Sequence, residues 1–105
     1  MIDNYQQKAM EFRKPSATKE YAFLNLAAEA GEVCSVVAKH IRDGDGQVTL
    51  EYLDNIEKEL GDVMWMVAAI ATDHGLLMSD ICNKNIRKLT DRLQRNTISG
   101  SGDNR

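Results

Sequence analysis

The chain has 105 residues, 28% of them charged, with a formal net charge of -3 and a pI near 5.3. That length allows one domain with a modest core, which self-association would naturally extend. The acidic balance provides no basic face for duplex nucleic acid, so a nucleic-acid polymer is excluded as the expected partner, while a single nucleotide is not.

The opening Met1-Ile2-Asp3-Asn4 has neither a basic nor an apolar leader character. The longest apolar run, 63–71, falls far short of the ~20 residues needed to span a bilayer. No membrane partner is expected. Cys34 and Cys82 lie in apolar helical stretches and read as two buried thiols in a reducing compartment, which makes the cytoplasm the expected location.

In chain order, the pattern predicts a short first helix over 1–13, with Ile2, Tyr5, Ala9 and Phe12 on one side. Pro15 interrupts it, and Ser16 or Thr18 caps the next helix. That second helix spans 18–42, with Leu24, Ala27, Ala28, Gly31, Cys34, Ala38 and Ile41 as a packed stripe. Gly44-Asp45-Gly46 turns the chain. Thr49 caps a third helix that reaches Asp73 and stops at His74-Gly75. Its first half is amphipathic, with Leu50, Leu53, Ile56 and Leu60 against Glu51, Asp54, Glu57 and Lys58, and its second half is solidly apolar. Ser79 caps a fourth helix through Arg95, with Ile81, Cys82, Ile86, Leu89 and Leu93 inward. Residues 96–105, with Ser-Gly-Ser-Gly, are expected to be a disordered tail. Residues 1–95 thus form one all-α domain, an antiparallel bundle of one short and three long helices completed by oligomerisation.

Two motifs stand thirty positions apart: Glu29-Ala30-Gly31-Glu32 and Glu59-Leu60-Gly61-Asp62. Each sets two carboxylates at i and i+3, on one helix face. A helical hairpin turning at Gly44-Asp45-Gly46 pairs Glu29 with Asp62 and Glu32 with Glu59. The neighbours are apolar: Ala28, Ala30, Val33 and Val36 on one helix, and the 63–67 run on the other. Ionised carboxylates there need a partner. All-oxygen ligation suits Mg²⁺, with Mn²⁺ as a substitute. Each motif also holds a glycine, costing up to about 1 kcal/mol against alanine in a helix. Two such glycines suggest close helix approach or room for a ligand.

An iron site of the ferritin type would want Glu-x-x-His on two helices. Neither His40 nor His74 has a glutamate three residues earlier, and both suit helix-end roles. On the fourth helix Lys84, Lys88 and Arg92 recur at i, i+4 and i+8 with Asn85 beside them, a ridge suited either to phosphate or to plain solvation. Phe12, Tyr21 and Trp65 offer surfaces on which a base could rest, although Trp65 lies in the apolar run and reads first as core.

With Glu29-x-x-Glu32, Glu59-x-x-Asp62, the glycine of each motif and Lys84-Asn85-x-x-Lys88-Leu89-x-x-Arg92, the chain resembles the MazG-like all-α nucleoside triphosphate pyrophosphohydrolases over residues 20–95. Where many relatives carry a further glutamate before the first motif, this chain has Ala28. The resemblance implies hydrolysis of a nucleoside triphosphate, deoxy or non-standard, to the monophosphate and pyrophosphate. It implies Mg²⁺ on Glu29, Glu32, Glu59 and Asp62, and a dimer or tetramer. Glu29 or Glu32 is then the base that activates water, and Lys84, Asn85, Lys88 and Arg92 hold the substrate. Phosphoribosyl-ATP pyrophosphohydrolases and dimeric dUTP-cleaving enzymes share related scaffolds. The competing reading is a non-catalytic helical dimerisation or interaction module whose acids serve solubility.

Overall fold

A computed structural model describes residues 1–44, 46–95, 102 and 103. It contains four helices: α1 (Ile2–Met10), α2 (Lys19–Asp43), α3 (Leu50–Asp73) and α4 (Met78–Gln94). Among the described residues there is no strand. The chain is all-α, as its periodicity predicts. Of the expected tail, 96–101, 104 and 105 lie outside the described residues.

Local signals set the helix ends. The Thr18 and Thr49 hydroxyls accept from the Tyr21 and Tyr52 amides and cap α2 and α3. α3 closes in a Schellman arrangement, with Leu76 N–H donating to Ala71 O at 2.8 Å and Gly75 N–H to Thr72 O at 3.1 Å, and with Gly75 at φ 67°. At the α2–α3 turn, Gly46 adopts φ 85°. A Cβ on Gly44 would meet the His40 carbonyl oxygen at 2.6 Å, so the helix end there admits glycine alone without a shift.

α1 ends at Met10 rather than Arg13. Glu11, Phe12 and Arg13 continue in turns closed on the residue three back, while the Arg13 guanidinium crosses to Asp73. Phe12 thereby leaves the buried side and is 72% exposed. Arg13 binds both Asp73 oxygens at 2.9 Å and the Ala17 carbonyl at 2.8 Å, tying the 11–18 connection to the end of α3.

The start of α4 is not capped by Ser79, because Leu77 holds the cap position and has no side-chain bond. The free amides are met instead from α1. Gln6 Oε1 accepts from Met78 N–H at 2.8 Å, and Asp3 accepts from both the amide and the hydroxyl of Ser79. Gln6 also donates from Nε2 to Thr72 Oγ1 and Leu76 O, so its buried amide is satisfied on both sides.

The core is small-residue packing where α1, α3 and α4 meet: Ala9, Ala68, Ala71 and Met78, flanked by Ile2, Met10, Trp65 and Val67. In the second half of α3, Met66, Ala68, Ala69 and Ala71 are buried and Val63, Trp65, Val67 and Ile70 half-buried, while Met64 is exposed. Elsewhere the expected inward faces are reversed. On α2 the half-buried residues are Asn25, Leu26, Glu29, Val33, Ser35, Val36, Val37 and His40, whereas the predicted stripe faces outward, with Leu24 77% and Ile41 74% exposed. α2 is apolar on two sides, and only one of them meets α3. On α3, Ile56 is half-buried but Leu50, Leu53 and Leu60 are exposed. On α4, Ile81, Cys82, Ile86, Leu89 and Leu93 are all exposed, and only Met78 and Arg92 are buried. The two thiols are accordingly exposed and unpaired rather than buried. Among the described residues no helix covers these faces.

Candidate metal and nucleotide site

α2 and α3 form the most extensive helix contact, an antiparallel hairpin. Three cross-links mark its register. Asn25 Nδ2 lies 3.7 Å from Met66 Sδ, oxygens of Glu29, Glu59 and Asp62 converge in the middle, and His40 stacks on Tyr52 at 3.9 Å near the turn. The register is the one that mirrored acidic motifs require.

One ligand oxygen each from Glu29, Glu59 and Asp62 lie within 4.8 Å of one another. Glu29 and Glu59 are half-buried and Asp62 is exposed, so the group opens at a rim. The Glu59 carboxyl is held above the ordinary glutamate range, first by desolvation and then by the charges of Asp62, Glu32 and Glu29. Glu32 is thus close enough to repel Glu59 but stands outside the three-oxygen group and is exposed. Lys58, next in sequence to Glu59, turns away to Asp54 at 2.9 Å. The donor set is hard, anionic and short of cations, which fits a small divalent ion.

Two residues that the motifs did not reveal belong to the site. Asn25 donates from Nδ2 to Glu29 Oε1 at 3.1 Å, one turn before it. Asn25 is the polar interruption of an apolar stretch, and its i, i+4 spacing to Glu29 is the signal that was there to be read. Tyr5 of α1 comes near Asp62; burial first, and the Asp62 charge second, raise its phenol above the usual value. No sequence pattern announced that approach.

The glycines do not serve close approach between α2 and α3. A Cβ at Gly31 or Gly61 would meet nothing within 4 Å. Both face open space. The histidines take helix-end roles as expected: His40 on Tyr52, and His74 with Nδ1 2.7 Å from Ile70 O and edge-on to Phe23.

The basic ridge is differently placed from what a phosphate clamp on these acids needs. α4 touches α1 and α3 but not α2. Lys84, Asn85 and Lys88 line a cavity of about 470 Å³ with Ile81 and Asp103. Arg92 is buried at 3% exposure, and Lys88 and Arg92 reach Asp103 Oδ1 at 2.9 and 3.2 Å. The charges acting on Glu59 are those of Asp62, Glu32 and Glu29, while Lys88 and Arg92 turn to Asp103.

An all-α hairpin with carboxylates from both helices converging on one site defines a class of helical proteins suited to a divalent ion and an anionic ligand. Residues 17–96 match the family model described as the MazG nucleotide pyrophosphohydrolase domain. The chain is 45% identical over 85 residues to the Gene 37 protein of Mycobacterium phage L5, covering 81% of this chain and 75% of that protein. It also superposes on the crystal structure of iMazG from Vibrio DAT 722 with a TM-score of 0.62 and 25% identity, covering 90% of this chain and 96% of the other. The chain belongs to the MazG nucleotide pyrophosphohydrolase family. Among the described residues, no helix is long and apolar enough to cross a membrane.

Proposed function

We propose that this protein is a Mg²⁺-dependent nucleoside triphosphate pyrophosphohydrolase that yields a nucleoside monophosphate and pyrophosphate, with Mn²⁺ as a workable substitute. The carrying observation is the convergence of Glu29, Glu59 and Asp62 oxygens within 4.8 Å, where burial and the neighbouring carboxylates raise the Glu59 pKa. Glu29, Glu59 and Asp62 would hold the metal, with Glu32 at its edge. Bound there, the ion supplies positive charge against the triphosphate and the departing pyrophosphate.

The chain's own groups account for the rest. Hydrolysis consumes one water and breaks the α–β anhydride. Glu32, outside the three-oxygen group, is the carboxylate free to take the proton of that water, with Glu29 held by Asn25 as the alternative. Lys84, Asn85, Lys88 and Arg92 serve as phosphate-binding residues, with a second chain's α4 completing the site on the α2 side, which α4 does not reach within one chain. The exposed apolar faces of α2, α3 and α4 favour such a dimer or tetramer. A nucleotide substrate makes the cytoplasm the working compartment.

A panel of deoxy, standard and modified nucleoside triphosphates with Mg²⁺, scored for monophosphate and pyrophosphate, tests the reading. Turnover of at least one member to those products is expected. The exposed faces also suit a non-catalytic dimerisation module, which predicts no turnover and no effect of Mg²⁺ on the melting temperature.

A further inference from the structure

We propose that the nucleobase of the substrate enters an aromatic recess formed by Phe12, Tyr21 and Trp65, a reading that rests on the pyrophosphohydrolase assignment above. The recess holds about 260 Å³ and is lined by Phe12, Lys14, Ser16, Ala17, Tyr21 and Trp65. That is below the roughly 300–1,000 Å³ of sites that enclose a whole drug-sized ligand, so it takes a ring rather than a nucleotide.

Its position points to the base. On α2, Tyr21, Asn25 and Glu29 follow one another at i, i+4 and i+8 on one face, with Asn25 bonded to Glu29. Tyr21 is therefore ~12 Å along the helix from Glu29 at 1.5 Å per residue, a span that a pentose and its phosphates bridge. On α3, Trp65 stands one turn after Asp62. The recess and the acids thus line successive levels of one hairpin.

It is also built in advance. Trp65 Nε1 donates to Ala9 O at 3.0 Å and fixes the indole, which packs against the core on one side and walls the recess on the other. Arg13, held by Asp73 and by the Ala17 carbonyl, fixes the connection that carries Phe12 and Ser16. Phe12 and Tyr21 are 72% and 45% exposed, and neither belongs to the ring pairs found among the described residues, His40–Tyr52 and Phe23–His74. Free aromatic faces are the stacking platforms that a base uses. The cavity of about 450 Å³ at the other end of the hairpin is a poorer host. Its rings, His40 and Tyr52, already stack on each other at 3.9 Å, and Lys39, Asp43 and Glu51 charge its walls.

Trp65 is the single tryptophan of the chain, so its fluorescence reports the recess directly. The full-length protein is titrated with the common nucleosides, without phosphate or metal, to millimolar concentration. At least one should quench Trp65, and Phe12→Ala and Tyr21→Ala should each weaken that binding about tenfold. With a triphosphate that is turned over, the same variants should raise KM by a similar factor and retain kcat. Unchanged melting temperatures would show that both variants fold, as their exposure leads one to expect. Quenching without turnover of any triphosphate would support the recess and sink the hydrolase. Turnover with no nucleoside quenching, or a KM that responds to His40→Ala and not to Phe12→Ala or Tyr21→Ala, would overturn the recess and leave the hydrolase standing.

Discussion

Asn25 donates from its side-chain Nδ2 to Glu29 Oε1 at 3.1 Å, and the same nitrogen lies 3.7 Å from Met66 Sδ of α3. The bond fixes the direction of a carboxylate that would otherwise swing away from Glu59 and Asp62, toward solvent. Outer partners of metal ligands commonly contribute 10- to 100-fold in affinity or activity. Asn25→Ala is expected to weaken Mn²⁺ binding, followed by calorimetry, by about tenfold and to lower kcat/KM comparably, with little change in folding.

The Arg13–Asp73 pair binds through both oxygens, with its side chains 15% and 13% exposed. Asp73→Asn would leave a guanidinium without its charge partner, and the melting temperature should fall by on the order of 5 °C at pH 7. The hydrogen bond from Arg13 is the main reason that Asp73 titrates below the ordinary 3.8. Because the folded value is the lower one, the pair contributes fully above 3.8 and fades as pH falls through the folded value. Thermal melts of wild type and Asp73→Asn should therefore differ at neutral pH and converge at the acid end.

Gln6 is the hinge pin between α1, α3 and α4. Truncating it orphans the Met78 amide together with two acceptors on Thr72 and Leu76. An unsatisfied buried donor costs about 1–3 kcal/mol. Gln6→Ala should destabilise by about 2 kcal/mol or more in urea unfolding, with the loss greatest in hydrogen-exchange protection of the first turn of α4.

Leu24 and Ile41 are more than two-thirds exposed on a stripe with Ala27, Ala28, Gly31 and Ala38. If that face is covered by a second chain, the double substitution Leu24→Asp with Ile41→Asp should shift the sedimentation of the protein towards monomer. Activity should fall with it, since α4 makes no contact with α2 in one chain.

What the sequence revealed was what short-range chemistry decides. Thr18, Thr49 and His74-Gly75 end their helices through bonds spanning a few residues, and each was legible. The pairing of Glu29 with Asp62 was legible too, because a hairpin with one turn admits a single antiparallel register around that turn. The rest depends on distant partners. Ser79 looks like a cap, yet the cap comes from Asp3, 76 positions earlier. α2 and α4 carry apolar residues beyond one face, and periodicity cannot say which face a neighbour takes; Cys34, Cys82 and Leu24 were misplaced for that reason. The ridge of Lys84, Lys88 and Arg92 lies on a helix that packs on α1 and α3 and not on α2.

Glu59 sits within the three-carboxylate group, its pKa raised by burial and by the charges of Asp62, Glu32 and Glu29. The direct measurement is product formation from a nucleoside triphosphate with Mg²⁺, followed by phosphorus NMR for wild type and Glu59→Gln. Wild type should release the monophosphate and pyrophosphate in equal amounts. Glu59→Gln should slow this at least ~100-fold, in line with loss of a metal ligand. Release of orthophosphate, or equal rates for the two proteins, would contradict the account.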